Sequence, residues 1–151
     1  MVSILSSREY RLVLQSLAEF RYELRSFLCF SEQAALRAGL QPQQHQLLLQ
    51  VAGAPDTLQV TIAYVAARLG LKHNSAVELV DRSEREGLLL RTVDARDKRR
   101  ILLQITRKGQ RILNRLTSEH ARELNVMAPG LIAALEHVRA HATLSTVAEA
   151  Q

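Results

Sequence analysis

The sequence predicts a mainly α-helical protein carrying one small β-hairpin, and three observations support that expectation. Apolar residues near the start recur every three or four positions, two short helical patterns meet at Gly70, and two alternating apolar segments bracket a charged tip. Composition agrees with a folded chain. Of 151 residues, 47% are hydrophobic and 23% charged, which suits one compact domain, with or without oligomerisation arms, and excludes a disordered chain. Aromatics are only 4% and Trp is absent, so the core must be aliphatic. One cysteine excludes an intrachain disulfide and a Cys-rich zinc module, and fits a reducing compartment. The opening stretch lacks a basic region and a long apolar run, so neither a secretory leader nor a membrane span is expected, and a cytoplasmic location is.

The first element is a long helix from about Ser7 to Ala38. Tyr10, Val13, Leu17, Phe20, Leu24 and Phe27 follow a 3-4 spacing continued by Ser31, Ala34 and Ala38, while Arg11, Glu19, Glu23 and Glu32 fall off that seam. Such a helix would be about 48 Å long, more than a small domain needs, and helices of that length pack on a second chain or a distant element. Gly39 supplies the stop and Pro42 opens the next helix, roughly Pro42 to Val51. After the loop Gly53-Ala54-Pro55-Asp56, Thr61 can cap a short helix from Ile62 to Leu69, ended by Gly70. A further helix runs from about His73 to Glu86 and stops at Gly87. Leu88 to Val93 and Ile101 to Thr106 read as strands joined by Asp94-Ala95-Arg96-Asp97-Lys98-Arg99-Arg100. Thr106 caps a helix with Ile112, Leu116, His120, Leu124 and Met127 on one side. Pro129-Gly130 is expected to break it, with a last helix carrying Leu131, Leu135 and Val138.

Charge is concentrated in one third of the chain. Residues 61–111 hold twelve Lys or Arg against six Asp or Glu, whereas the remainder is close to neutral within a net charge of +5. That asymmetry points to a polyanionic partner; a solvated basic face is the plain alternative.

The helices meeting at Gly70 carry the functional signal. Ala66 permits close approach, Gly70 takes the turn, and Val65, Leu69, Leu71, Ala76 and Leu79 fix the interhelical angle. The second helix therefore presents Lys72, His73, Asn74 and Ser75 at its N-terminus, where backbone N–H groups also favour phosphate. This is how a recognition helix reads a DNA major groove, although an ordinary helical hairpin shares the pattern. The basic tip sharpens the reading: a wing bearing Arg96, Lys98, Arg99 and Arg100 can lay an arginine into the narrow minor groove. Helix pair plus basic wing makes a winged helix-turn-helix. Arg107 and Lys108 sit in a first helical turn, where cations oppose the dipole; a nearby phosphate would explain them, and so would full exposure to solvent.

These residues resemble the MarR family of bacterial transcription regulators. The runs carrying the resemblance are Val65 to Leu71, Val80-Asp81-Arg82, Gly87-Leu88, Asp94 to Arg100, and Ile105-Thr106-Arg107-Lys108-Gly109. The wing pattern is matched by Asp94, Asp97, Arg99 and the Thr106-to-Gly109 close. The resemblance implies a single MarR-like domain over 1–151, with a winged lobe at about 40–109 and dimerisation helices at about 7–38 and 110–151. It further implies a minor-groove role for Arg99 steadied by Asp97, a homodimer joined through its terminal helices, and an effector pocket between those helices and the DNA-binding lobe. Two departures concern groove-facing positions: Glu78 stands where relatives carry a basic or hydroxyl residue, and Val77 where many have Thr. Ser83 replaces a usual Leu. Glu78 could accept from a cytosine amino group, or pair with Arg82 at i+4, which is the favoured reading.

Other residues carry weaker signals. Cys29, with only Arg25 one turn away to lower its pKa, is expected to be a buried structural cysteine. His137 and His141 share a helix face but lack the second ligand pair a metal site needs. Arg21, Arg25 and His45 are speculative anion-binding residues for an effector. No nucleophile elbow, phosphate loop or catalytic carboxylate pair occurs, so neither an enzyme nor a cofactor is expected. The sequence thus predicts a sequence-specific double-stranded DNA-binding regulator, a nucleoid-associated and effector-responsive repressor acting as a homodimer on a pseudo-palindrome. Lys72, His73, Asn74, Ser75, Glu78, Arg82, Arg96, Asp97, Lys98, Arg99 and Arg100 would form its DNA surface. The alternatives are a winged-helix protein-interaction module and a thiol or metal sensor.

Overall fold

The computed structural model describes residues 7–148, with side chains over 8–140. In chain order it contains α1 (Ser7–Arg37), α2 (Pro42–Ala52), α3 (Ile62–Leu69), α4 (His73–Arg85), β1 (Leu89–Val93), β2 (Ile101–Ile105) and α5 (Arg107–Ala148). The chain divides into two units, one formed by Met1–Ser31 with His120–Gln151, the other by Glu32–Glu119.

The Glu32–Glu119 unit has a continuous aliphatic core. Leu47 and Leu48 from α2, Val65 from α3, Leu79 and Val80 from α4, Leu88, Leu89 and Leu103 from the hairpin, and Leu116 from α5 are all buried. Each helix begins and ends where its local chemistry requires. Thr61 Oγ1 accepts the Tyr64 N–H at 3.2 Å and starts α3. Gly70 ends it at φ +64°, a left-handed conformation that lets its own N–H and that of Leu71 bond the Ala67 and Ala66 carbonyls. The same pair of reverse bonds closes α4: the Gly87 N–H meets the Glu84 carbonyl and the Leu88 N–H the Ser83 carbonyl. Ser83 itself is fully buried, and its hydroxyl is satisfied by the Leu79 carbonyl at 2.8 Å.

The hairpin is antiparallel, with Leu89 opposite Ile105 and Val93 opposite Ile101. The Leu103 N–H donates to the Val60 carbonyl at 2.8 Å, so the segment before α3 runs beside β2 and ties the hairpin to the helix pair. Thr106 leaves the strand to start α5. Its hydroxyl donates to the Gly87 carbonyl at 2.7 Å and accepts the Gly109 N–H at 3.1 Å. A Cβ at Gly109 would lie 2.2 Å from the Leu88 carbonyl oxygen, so the Thr-x-x-Gly sequence reflects a close approach of helix to backbone.

The other unit is formed by the α1 and α5 segments outside that lobe, and it buries little of its own apolar surface. Met127, Ala134 and Ser16 are buried, whereas Tyr10, Leu14, Leu17, Leu24 and Leu28 of α1 and Val126, Ile132 and Leu135 of α5 are exposed. The heptad seam is therefore open over its N-terminal half: Leu17 and Leu24 are exposed, while Ala34, at its C-terminal end in the other unit, is buried. His120 stacks edge-on against both Phe27 and Phe30 and lies 2.8 Å from Ser31 Oγ through Nε2.

Two expectations are corrected. Pro129-Gly130 does not break the chain into two helices, because α5 runs unbroken with Pro129 inside it. A proline removes one backbone hydrogen bond, and the burial of Met127 and Ala134 on either side holds the helix through that loss. Cys29 is exposed rather than buried. It stands two residues, about 200° of helix, from both Phe27 and Ser31, and so faces away from the seam.

Candidate nucleic-acid interface

The α3–α4 pair places the N-terminus of α4 at the surface of its lobe. Ala66, Ala76, Leu79 and Val80 are buried at the packing face, which turns the opposite face of α4 outward. Lys72, His73, Asn74, Ser75, Glu78 and Arg82 are all exposed there. Lys72 is the N-cap, at φ −66° and ψ 151°, and its side chain makes no capping hydrogen bond, so the first-turn N–H groups stay open to an incoming acceptor.

The wing tip is built by two aspartates. Asp94 is 4% exposed and its carboxylate accepts the Arg96 N–H at 2.8 Å. That bond holds its pKa below the usual carboxylate value against the opposing effect of burial, helped by the Gln59 side chain, the Asp97 backbone and the charge of Arg100. The Asp94 N–H and the Arg100 carbonyl then close the loop at 3.0 Å. Asp97 accepts the Arg99 N–H at 3.0 Å through its side chain and the Arg100 N–H at 2.9 Å through its carbonyl. Both carboxylates thus spend themselves on backbone and leave the cationic side chains outside. Arg96, Lys98, Arg99 and Arg100 are exposed; only Arg100 reaches a carboxylate, Asp94, at 4.0 Å.

Arg91 is a neighbour of this surface that sequence reasoning counted only as one cation among twelve. From β1 its guanidinium bonds both Asp81 and Glu84 of α4, and its N–H donates to Glu84 Oε1 at 3.1 Å. Burial alone would lower its pKa, but the two carboxylates outweigh burial and raise it above the ordinary arginine value. The clamp fixes the wing strand to α4. Its sequence signal was present: Asp81 and Glu84 share a face at i, i+3, and a strand arginine follows seven residues later.

Two sequence readings do not hold at this surface. Glu78 and Arg82 form no ion pair among the described residues, although both line one shallow cavity with Asp81 and Arg85. An exposed i, i+4 attraction of a few tenths of a kcal/mol is too weak to fix two long side chains against rotamer entropy. Lys108 needs no phosphate to explain it, because its Nζ donates to the Glu86 carbonyl at 2.7 Å and caps the end of α4.

The remaining candidates are spread over both units. Arg21 and Arg25 are exposed on α1, and His45 is buried in α2 beside Gln44, which joins Gln41 to Glu86 by hydrogen bonds of 2.9 and 3.0 Å. His137 lines a cavity of 510 Å³ with Ser16, Glu19 and Gly130; the side chain of His141 lies outside the described residues. No group of three or more His, Cys, Asp or Glu suited to a metal ion occurs among the described residues. No described helix is long and apolar enough to cross a membrane.

Two short helices set by a glycine turn, followed by a basic hairpin braced on the second helix, define a winged helix-turn-helix. Residues 38–100 match the model of the MarR family. No curated protein sequence matches the chain. Among solved structures, it is similar to CouR from Rhodococcus jostii RHA1, solved bound to p-coumaroyl-CoA, with 26% identity over 82% of this chain and 84% of that one and a TM-score of 0.63. It shares the fold of a MarR family protein from Bacillus stearothermophilus, at 20% identity, 91% and 97% coverage, and a TM-score of 0.70. It also shares the fold of a Staphylococcus aureus MepR variant bound to an oligodeoxyribonucleotide, at 22% identity, 87% and 95% coverage, and a TM-score of 0.59. The chain thus has a winged helix-turn-helix fold, and its residues 38–100 are similar to the MarR family.

Proposed function

We propose that this protein is a sequence-specific double-stranded DNA-binding transcription regulator that works as a homodimer and responds to a small-molecule effector, acting as a repressor. One observation carries the reading: on a single lobe, a helix with an open N-terminus at Lys72 to Ser75 is joined near its C-terminal end by the Arg91 clamp to a wing whose carboxylates are used internally while its cations face solvent. In this reading α4 enters a major groove with Lys72, His73, Asn74, Ser75, Glu78 and Arg82 against base edges and phosphates. The wing, with Arg96, Lys98, Arg99 and Arg100 on a loop held by Asp94 and Asp97, grips the adjacent minor groove. The MepR variant bound to an oligodeoxyribonucleotide supports the use of this fold on DNA.

The exposed leucines of α1 and α5 support the dimer, since an apolar surface of that extent on two long helices calls for a covering partner. The terminal helices would then serve dimerisation and 40–109 DNA binding within one MarR-like domain. Two-fold symmetry gives inverted half-sites about 34 Å apart. The CouR complex with p-coumaroyl-CoA supports an acyl-CoA thioester as the class of effector. Selection of bound duplexes from random DNA, followed by binding titrations across salt, tests the proposal. Inverted half-sites and a linear fall of log K with log salt are expected, about 0.9 per phosphate contacted. Equal, weak binding of all duplexes at low salt would instead favour a protein-interaction module.

A further inference from the structure

The geometry points to Glu78 as a base-selecting residue that favours cytosine, an inference resting on the DNA-binding reading above. Three facts converge on it. Glu78 is exposed on the outward face of α4, one turn after Asn74 and one before Arg82. It makes no hydrogen bond or ion pair among the described residues, although Arg82 and Arg85 line the same shallow cavity of 270 Å³. The two neighbouring carboxylates of α4, Asp81 and Glu84, are by contrast both committed to Arg91. Glu78 is thus the carboxylate of this helix that the fold leaves to an outside donor.

The chemistry of the groove then narrows its partner. An ionised carboxylate only accepts hydrogen bonds, and it repels phosphate. In a major groove it can be satisfied only by an exocyclic amino group, that of cytosine or adenine, because guanine presents N7 and O6 acceptors and thymine an O4 acceptor and a methyl. Cytosine offers its amino group without a neighbouring acceptor on the same base, whereas adenine sets N7 beside its own and suits an amide such as Asn74 better. Glu78 therefore selects in two ways: it rewards cytosine at one position of each half-site, and it weakens attachment to every sequence that leaves it against phosphate or a base acceptor.

The test compares wild type, Glu78→Gln and Glu78→Ala by selection from random duplex pools and by titration on the selected and a scrambled duplex. Wild type should show cytosine fixed at one position per half-site, with roughly tenfold discrimination. Glu78→Ala should accept all four bases there while binding the scrambled duplex more tightly. Glu78→Gln should shift the preference towards adenine. The thermal midpoint should stay unchanged in both, since the side chain is exposed. Selected sites that are the same for wild type and Glu78→Ala would overturn the assignment and leave the DNA-binding reading intact. Absence of duplex binding by the wild type would overturn both.

Discussion

The Asp97 carboxylate accepts the backbone N–H of Arg99 at 3.0 Å, so the acid at the wing tip shapes the loop while the adjacent guanidinium remains exposed. This explains how acids and bases can alternate at Asp94, Arg96, Asp97 and Arg99 without cancelling. The acids bond main chain, and the bases keep their field. Replacing Arg99 by Ala should weaken duplex binding across sequences and lower the slope of log K against log salt by about 0.9 if one phosphate contact is lost. Asp97→Asn should weaken binding less and leave that slope unchanged. Titrations at four or five salt concentrations check both.

Arg91→Ala should loosen the wing. It leaves Asp81 and Glu84 without their shared cation, and both are more than one-third exposed, so water screens much of the loss. A destabilisation of about 1 kcal/mol is expected in urea unfolding. Binding should fall although Arg91 lies outside the proposed DNA surface.

Gly109→Ala should cost about 1–3 kcal/mol, because the added methyl meets the Leu88 carbonyl at 2.2 Å and backbone must move. Gly130→Ala offers the contrast. Its methyl would meet only the flexible end of Glu23 at 3.2 Å, and the gain in helix propensity, up to about 1 kcal/mol, should make it neutral or stabilising. Chemical denaturation of the two variants separates close packing from simple helix propensity.

Acid should release the wing base. The Asp94 pKa is lowered in the folded state, so its contribution is complete at neutral pH, above the unfolded value of about 3.9, and is lost as pH falls through the lowered folded value. Stability measured between pH 5 and pH 2 should fall more steeply for wild type than for Asp94→Asn. Gln59→Ala should move this loss to slightly higher pH, since it removes one of the bonds that favour the carboxylate.

Leu17→Glu should dissociate the protein into monomers if the open seam of α1 is the dimer surface, a change that light scattering coupled to size exclusion reads directly. DNA affinity should fall with it, because two half-sites would no longer be bound by one linked molecule.

Local chemistry was enough to read most of this fold from the sequence. Thr61 with Gly70, Gly87 and Thr106 mark helix ends through bonds that span three to five residues, and the alternation of Ile101, Leu103 and Ile105 marks a strand, of which Leu103 reaches the core while Ile101 is exposed. The exposed set at the start of α4 and on the wing followed from the same short-range periodicity. What the tertiary structure decided was every question of partnership. Arg91 chose Asp81 and Glu84, Lys108 chose a helix-end carbonyl, Glu78 and Arg82 stayed apart, and α5 continued through Pro129. These outcomes turn on which groups meet in space and on small differences between competing interactions. Periodicity gives the direction a side chain faces, but only packing determines what it finds there.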